Sequence, residues 1–100
     1  MARSASATVT AVADSASSQT IMAADGDRLG FIIWNDSTQT LYLKFGTTAS
    51  TTDWSVKLAP DERLQSMPGE SDDGMDKYVD RIDGIWAANA SGSARITVFK

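Results

Sequence analysis

The chain has neither cysteine nor histidine among its 100 residues. Without cysteine there is no disulfide, no zinc–thiolate or iron–sulfur site and no cysteine nucleophile. Without histidine the commonest general base, the commonest transition-metal ligand and the usual pH switch are missing. The many serine and threonine hydroxyls therefore have no imidazole to activate them. Lys44, Lys57 and Lys77 show no motif of the Ser–Lys kind. Paired carboxylates could form a glycosidase dyad, but such a pair needs a cleft, and a chain this short rarely builds one. An enzyme is not expected.

A basic excess is also lacking. Nine Lys and Arg stand against 13 Asp and Glu, for a net charge of −4. The basic side chains are scattered, and a binder of phosphates would show the opposite balance. No nucleic-acid partner is expected. Long apolar runs are absent too: the longest, Phe31 to Trp34, is far short of a membrane span. Met1-Ala2-Arg3-Ser4 lacks the apolar heart of a signal peptide. No membrane contact or export is expected, and a chain without disulfides fits synthesis in a cytosol. The glycines are dispersed, so no phosphate-cradling loop is formed.

What is present are short apolar bursts separated by Ser, Thr, Asp and Gly, a strand-and-turn pattern. Ala5 to Val12 alternates small and β-branched residues and suits an edge strand. Gln19 to Ala23 offers a short strand, with Ile21 inward. Asp25-Gly26 marks a turn in which glycine accepts positive φ. Leu29 to Trp34 sets Leu29, Phe31 and Ile33 on one face and Ile32 and Trp34 on the other. Both faces are apolar, so this strand is expected at the centre of a sheet or beneath a partner. Thr40 to Phe45 places Leu41, Leu43 and Phe45 inward and Tyr42 and Lys44 outward. With the polar turn Asn35–Thr38 between them, these two strands read as a β-hairpin. Trp54, Val56 and Leu58 alternate in a further strand stopped by Pro60. Glu62 to Met67 follows, then Tyr78 to Trp86 with Gly84 at a bulge, then Arg95 to Phe99. The expected fold is all-β: an antiparallel β-sandwich or jelly roll of about seven or eight short strands. A flexible N-terminal arm over 1–7 is expected to precede one domain over 8–100.

Three stretches carry a family resemblance: Ile33-Trp34-Asn35-Asp36-Ser37 leading into Leu41-Tyr42-Leu43-Lys44-Phe45-Gly46; Ser55-Val56-Lys57-Leu58-Ala59-Pro60; and Arg81-Ile82-Asp83-Gly84-Ile85-Trp86 followed by Gly92-Ser93-Ala94-Arg95-Ile96-Thr97. In this order they resemble a group of small virion structural proteins of bacteriophages and prophages, over roughly Leu29 to Val98. The acidic stretch Glu70–Asp76 departs from that group, whose turn before the Arg-Ile-Asp-Gly-Ile-Trp strand is shorter. The resemblance implies a virion component: a capsid decoration (cement) protein, a head-fibre or spike base, or a tail accessory protein. Its location would be the virion, after synthesis in the host cytoplasm. Its partner as a decoration protein would be the major capsid protein, and self-association is expected, a trimer being one option. A tail or fibre accessory module that binds a receptor or glycan is the alternative.

Two sets of residues stand out as sites. Asp72, Asp73 and Asp76, with Glu70, could offer oxygens to calcium, but their spacing is not that of an EF-hand, and a solvated acidic loop is the plainer reading. Asp25 and Asp27 around Gly26 read as a turn. No cofactor is expected. Trp34, Trp54 and Trp86 all lie in strand patterns, which points to core or inter-subunit packing more than to stacking on sugars or bases. Ile32 and Trp34, with Tyr42 and Phe99 at outward positions, are the interface candidates, because an exposed Ile32–Trp34 patch is one that monomers avoid.

Overall fold

The computed structural model describes residues 7–66 and 79–100, and within them the chain is β throughout, without a helix. Eight strands form: β1 (Ala7–Ala13), β2 (Gln19–Met22), β3 (Gly30–Asp36), β4 (Leu41–Phe45), β5 (Val56–Leu58), β6 (Arg63–Ser66), β7 (Ile82–Trp86) and β8 (Ser93–Phe99). They pair antiparallel in two four-stranded sheets, β1-β8-β3-β6 and β2-β7-β4-β5. Each of the first four strands thus pairs with its mirror in chain order: β1 with β8, β2 with β7, β3 with β6, β4 with β5. That is one long hairpin, its tip between β4 and β5, folded over into two sheets. It is the pairing scheme of an eight-stranded jelly roll, so the all-β sandwich expectation holds.

Alternation in the strands builds the core. From the first sheet come Phe31, Ile33, Ala94 and Ile96; from the second, Ile21, Leu41, Leu43, Leu58, Ile82 and Trp86. Val12, Val56, Leu64 and Val98 pack around them. Burying a Leu, Ile or Phe side chain contributes about 1.5–3 kcal/mol, so this two-layer apolar filling is the main source of stability. Gly84 packs rather than bulges. A Cβ there would come within 2.7 Å of Ile21 Cγ1, so glycine lets Ile21 cross the sheet closely. The register irregularity lies opposite, in β2 between Thr20 and Met22.

Three further expectations are corrected. Leu29–Trp34 and Thr40–Phe45 are not a hairpin: β3 belongs to the first sheet and β4 to the second. The turn between them crosses the sandwich because Asn35 is drawn into the space between the sheets. Its Nδ2 donates to the carbonyls of Gln39 (2.8 Å), Leu58 (3.0 Å) and Ala59 (3.2 Å), and its Oδ1 accepts from Trp86 Nε1 (3.1 Å). Trp54 is not part of a strand: β5 starts at Val56, and Trp54 stands exposed in the loop before it. Phe45, at the end of β4, is likewise exposed. The Asp25-Gly26 turn does form, closed by Arg28 N–H to Asp25 C=O, although Gly26 does not take positive φ.

A second polar cluster fastens one end of the sandwich. Asp14, just past β1, accepts from Ser37 Oγ (2.8 Å) and from the N–H groups of Ala90 (3.0 Å) and Gly92 (3.1 Å). Burial opposes its ionisation, but these three donors outweigh that and hold its carboxyl below the ordinary carboxylate range. Gly92 lies so close to β3 that a Cβ would come within 2.5 Å of Asp36 O and Ser37 Cα. The chain crosses back to the first sheet between Leu58 and Arg63 through a tight turn, with Glu62 N–H bonded to Ala59 C=O, Pro60 second, and Asp61 third at φ 69°. This is the type II pattern, which requires positive φ at its third residue.

Candidate functional site

Residues paired across an antiparallel sheet point to the same side, so the register defines the outer face of the first sheet row by row. One row is Val9, Thr97, Ile32 and Gln65; the next is Ala11, Arg95, Trp34 and Arg63. Trp34 therefore lies between two arginines on its neighbouring strands. Val9 is 64 % exposed and Trp34 39 %, while Ile32 is half-buried. Together with Asp61 these two rows, Ala11 apart, line a shallow groove of about 520 Å³. The arginines are held in place: Arg95 Nε donates to Asp36 Oδ2 at 2.9 Å, and Arg63 Nε to Gln65 Oε1 at 3.2 Å. Its lining alternates apolar Val9, Ile32 and Trp34 with polar Thr97, Gln65, Arg63 and Arg95. A part-exposed tryptophan flanked by arginines is of the composition enriched in protein-binding surfaces.

The four interface candidates fall into two places. Ile32 and Trp34 share this outer face. Phe99 belongs to it as well, in the row Ala7, Phe99, Gly30 at one end, where it is half-buried. Tyr42 is on the opposite side of the molecule, on the outer face of the second sheet. There its ring meets Trp54, with centroids 5.6 Å apart and planes at 53°. Lys57 Nζ stands 5.8 Å from the Trp54 ring centroid, and Trp54 Nε1 donates to Thr51 C=O. The loop is stiffened by Ser50 Oγ, which accepts from Thr52 N–H and Asp53 N–H, and by the Lys44–Asp53 ion pair.

The carboxylates Glu70, Asp72, Asp73 and Asp76, and Tyr78 as well, lie outside the described residues. Within them, no group of three acidic side chains is placed to hold a metal ion. Asp25 is occupied by its turn: it accepts from Asp27 N–H and pairs with Lys100 Nζ at 2.6 Å. The proposed arm is also outside the described residues except for Ala7, which belongs to β1. Trp86 lies wholly in the core.

The arginines at Trp34, the Asn35 hub and the Asp14 cluster go beyond what the sequence indicates. Arg63 and Arg95 flank Trp34 only through register, across 29 and 61 residues of chain. The one local signal was a buried-type alternation running onto Asn35, which puts an amide at an inward position. Among the described residues there is no helix long and apolar enough to cross a membrane. No family model, no curated protein and no solved structure matches the chain.

Proposed function

We propose that this chain is a structural protein of a phage virion, a capsid decoration protein that docks on the assembled shell through the outer face of its first sheet. The observation that carries the reading is the outer face on which exposed Val9 and Trp34 stand with half-buried Ile32, Arg63 and Arg95 lying on either side of the indole. An apolar patch of this kind, on a small chain, is covered by something in use. The likeness of the three sequence stretches to phage structural proteins supplies the kind of partner, the major capsid protein. A jelly roll is an architecture used by viral capsid domains and by lectins, which is analogy at the level of fold only. Binding to the assembled lattice and not to its free subunits would stabilise the particle by mass action.

The test is co-sedimentation of the purified protein with undecorated shells and with unassembled capsid protein. Binding is expected to shells alone. Trp34→Ala removes the central anchor of the patch and is expected to weaken docking at least tenfold, at a cost to folding stability of about 1–2 kcal/mol, because most of the side chain is covered by its own sheet. Full shell binding by Trp34→Ala contradicts the assignment of this face.

One observation favours the second reading, a glycan- or receptor-binding accessory module. Trp54 is in a loop, exposed, next to Tyr42 and with polar groups around it. Such a platform stacks on a sugar face. Glycan-array binding lost on Trp54→Ala and kept on Trp34→Ala would decide for it.

A further inference from the structure

The four strand edges of the sandwich are protected unequally. A free edge offers unpaired N–H and C=O groups to any other strand, and proteins blunt such edges by shortness, charge, proline or bulges. Edge β5 has three residues and carries Lys57. Edge β6 has four and carries Arg63. Edge β2 has four and breaks register between Thr20 and Met22. Edge β1 has none of these devices. It runs for seven residues, Ala-Thr-Val-Thr-Ala-Val-Ala, with no charge, no proline and an unbroken register against β8. It is exposed along nearly its whole length, and among the described residues nothing pairs with its outer side.

We infer that β1 is a self-association edge, pairing antiparallel with β1 of a second copy about a two-fold axis at Thr10. This joins the two first sheets into one sheet of eight strands. A second copy is the occupant the edge fits. A two-fold contact presents the same strand to itself, and only the register centred on Thr10 pairs all seven residues, Ala7 opposite Ala13 and Val9 opposite Ala11. Every residue so opposed is neutral, so two chains of net charge −4 meet where neither carries charge. The backbone phase agrees. Asp14 N–H bonds to Gly92 C=O at 3.1 Å, continuing the β1–β8 ladder. Alternation of an antiparallel ladder then turns the N–H and C=O of Ala7, Val9, Ala11 and Ala13 outward, giving about eight bonds across the axis. Thr8 and Thr10 share the face of Val12 yet stay exposed, lining a groove of about 290 Å³ with Ile21 and Met22 of β2. An edge pairing is smaller than the roughly 1,200 Å² of a standard stable interface, so association depends on concentration.

The experiment is sedimentation equilibrium of the full chain, from about 1 μM to 1 mM, for the unaltered protein, Thr10→Lys, Thr10→Glu and an equimolar mixture of the two variants. Thr10 faces its own copy across the axis, so each variant alone sets like charges opposite each other and is expected to stay monomeric. The mixture, with opposite charges opposed, is expected to regain the dimer. Amide exchange on the unaltered protein supplies a second reading: N–H protection at Val9 and Ala11 rises at least tenfold with concentration, while Thr10 and Val12, bonded to β8, are protected throughout. A monomer at 1 mM, association untouched by either Thr10 variant, or no concentration dependence at Val9 and Ala11 overturns the inference. No virus particle enters these assays, so their outcome is separate from that of the shell reading.

Discussion

Asn35→Ala is the perturbation whose effect follows most directly from the structure. The Asn35 side chain is fully buried and joins both sheets through four hydrogen bonds. Truncation leaves the Trp86 indole N–H without an acceptor inside a core where Trp86 has no solvent access. The Leu58 carbonyl loses one of its donors but keeps the other, the N–H of Leu41 opposite it in the β4–β5 ladder. Gln39 and Ala59 are nearer to solvent and can turn to water. An orphaned buried group costs about 1–3 kcal/mol, so the indole N–H alone removes a sizeable part of the 5–15 kcal/mol typical of a domain. Urea unfolding followed by tryptophan fluorescence should show the midpoint falling at constant slope. A double-mutant cycle isolates the cause. In a Trp86→Phe background there is no indole donor to orphan, so Asn35→Ala should cost about 1–2 kcal/mol less. A loss below about 1 kcal/mol, or strict additivity of the two changes, would refute the view that this amide holds the sheets together.

Other consequences are equally open to measurement. Asp14 has its native pKa lowered below its unfolded value of about 3.9. Its contribution is therefore present above that value and lost as pH falls through the native one. Acid unfolding of Asp14→Asn should show a shallower dependence on pH below about 4, and at neutral pH the variant, whose amide cannot accept from all three donors, should be about 1–3 kcal/mol less stable. Gly92→Ala places a methyl against backbone atoms at 2.5 Å and should cost about 3 kcal/mol or more, whereas Gly26→Ala, with open space around it, should change thermal midpoints little. Asp61→Gly relieves a non-glycine residue at φ 69° and should raise stability by about 1 kcal/mol, read in the same urea titration.

The strands that could be read from the sequence were those with strict two-residue alternation. Phe31 and Ile33 inward with Ile32 and Trp34 outward follows from β geometry alone, and so does the apolar inner face of β4. The edge position of β1 was legible as well, from its small, uncharged residues. The supposed hairpin shows where local pattern stops. A four-residue polar turn serves a hairpin and a crossing between sheets equally, and here the choice is made by Asn35, Ser37 and Gly92, contacts that span up to 55 residues. Trp54 failed for a different reason: alternation with Val56 and Leu58 continues for a residue or two beyond the last ladder bond. Of the candidate site, the outward facing of Ile32 and Trp34 was legible; its arginine neighbours were not, because register between distant strands is a property of the closed sandwich.

The measurement that bears most directly on the central claim is the number of copies of this chain per purified particle, by quantitative mass spectrometry against the major capsid protein. A decoration protein is predicted to occur in a simple ratio to the shell subunits. Absence from particles contradicts the account, and a mere handful of copies contradicts its assignment to the shell.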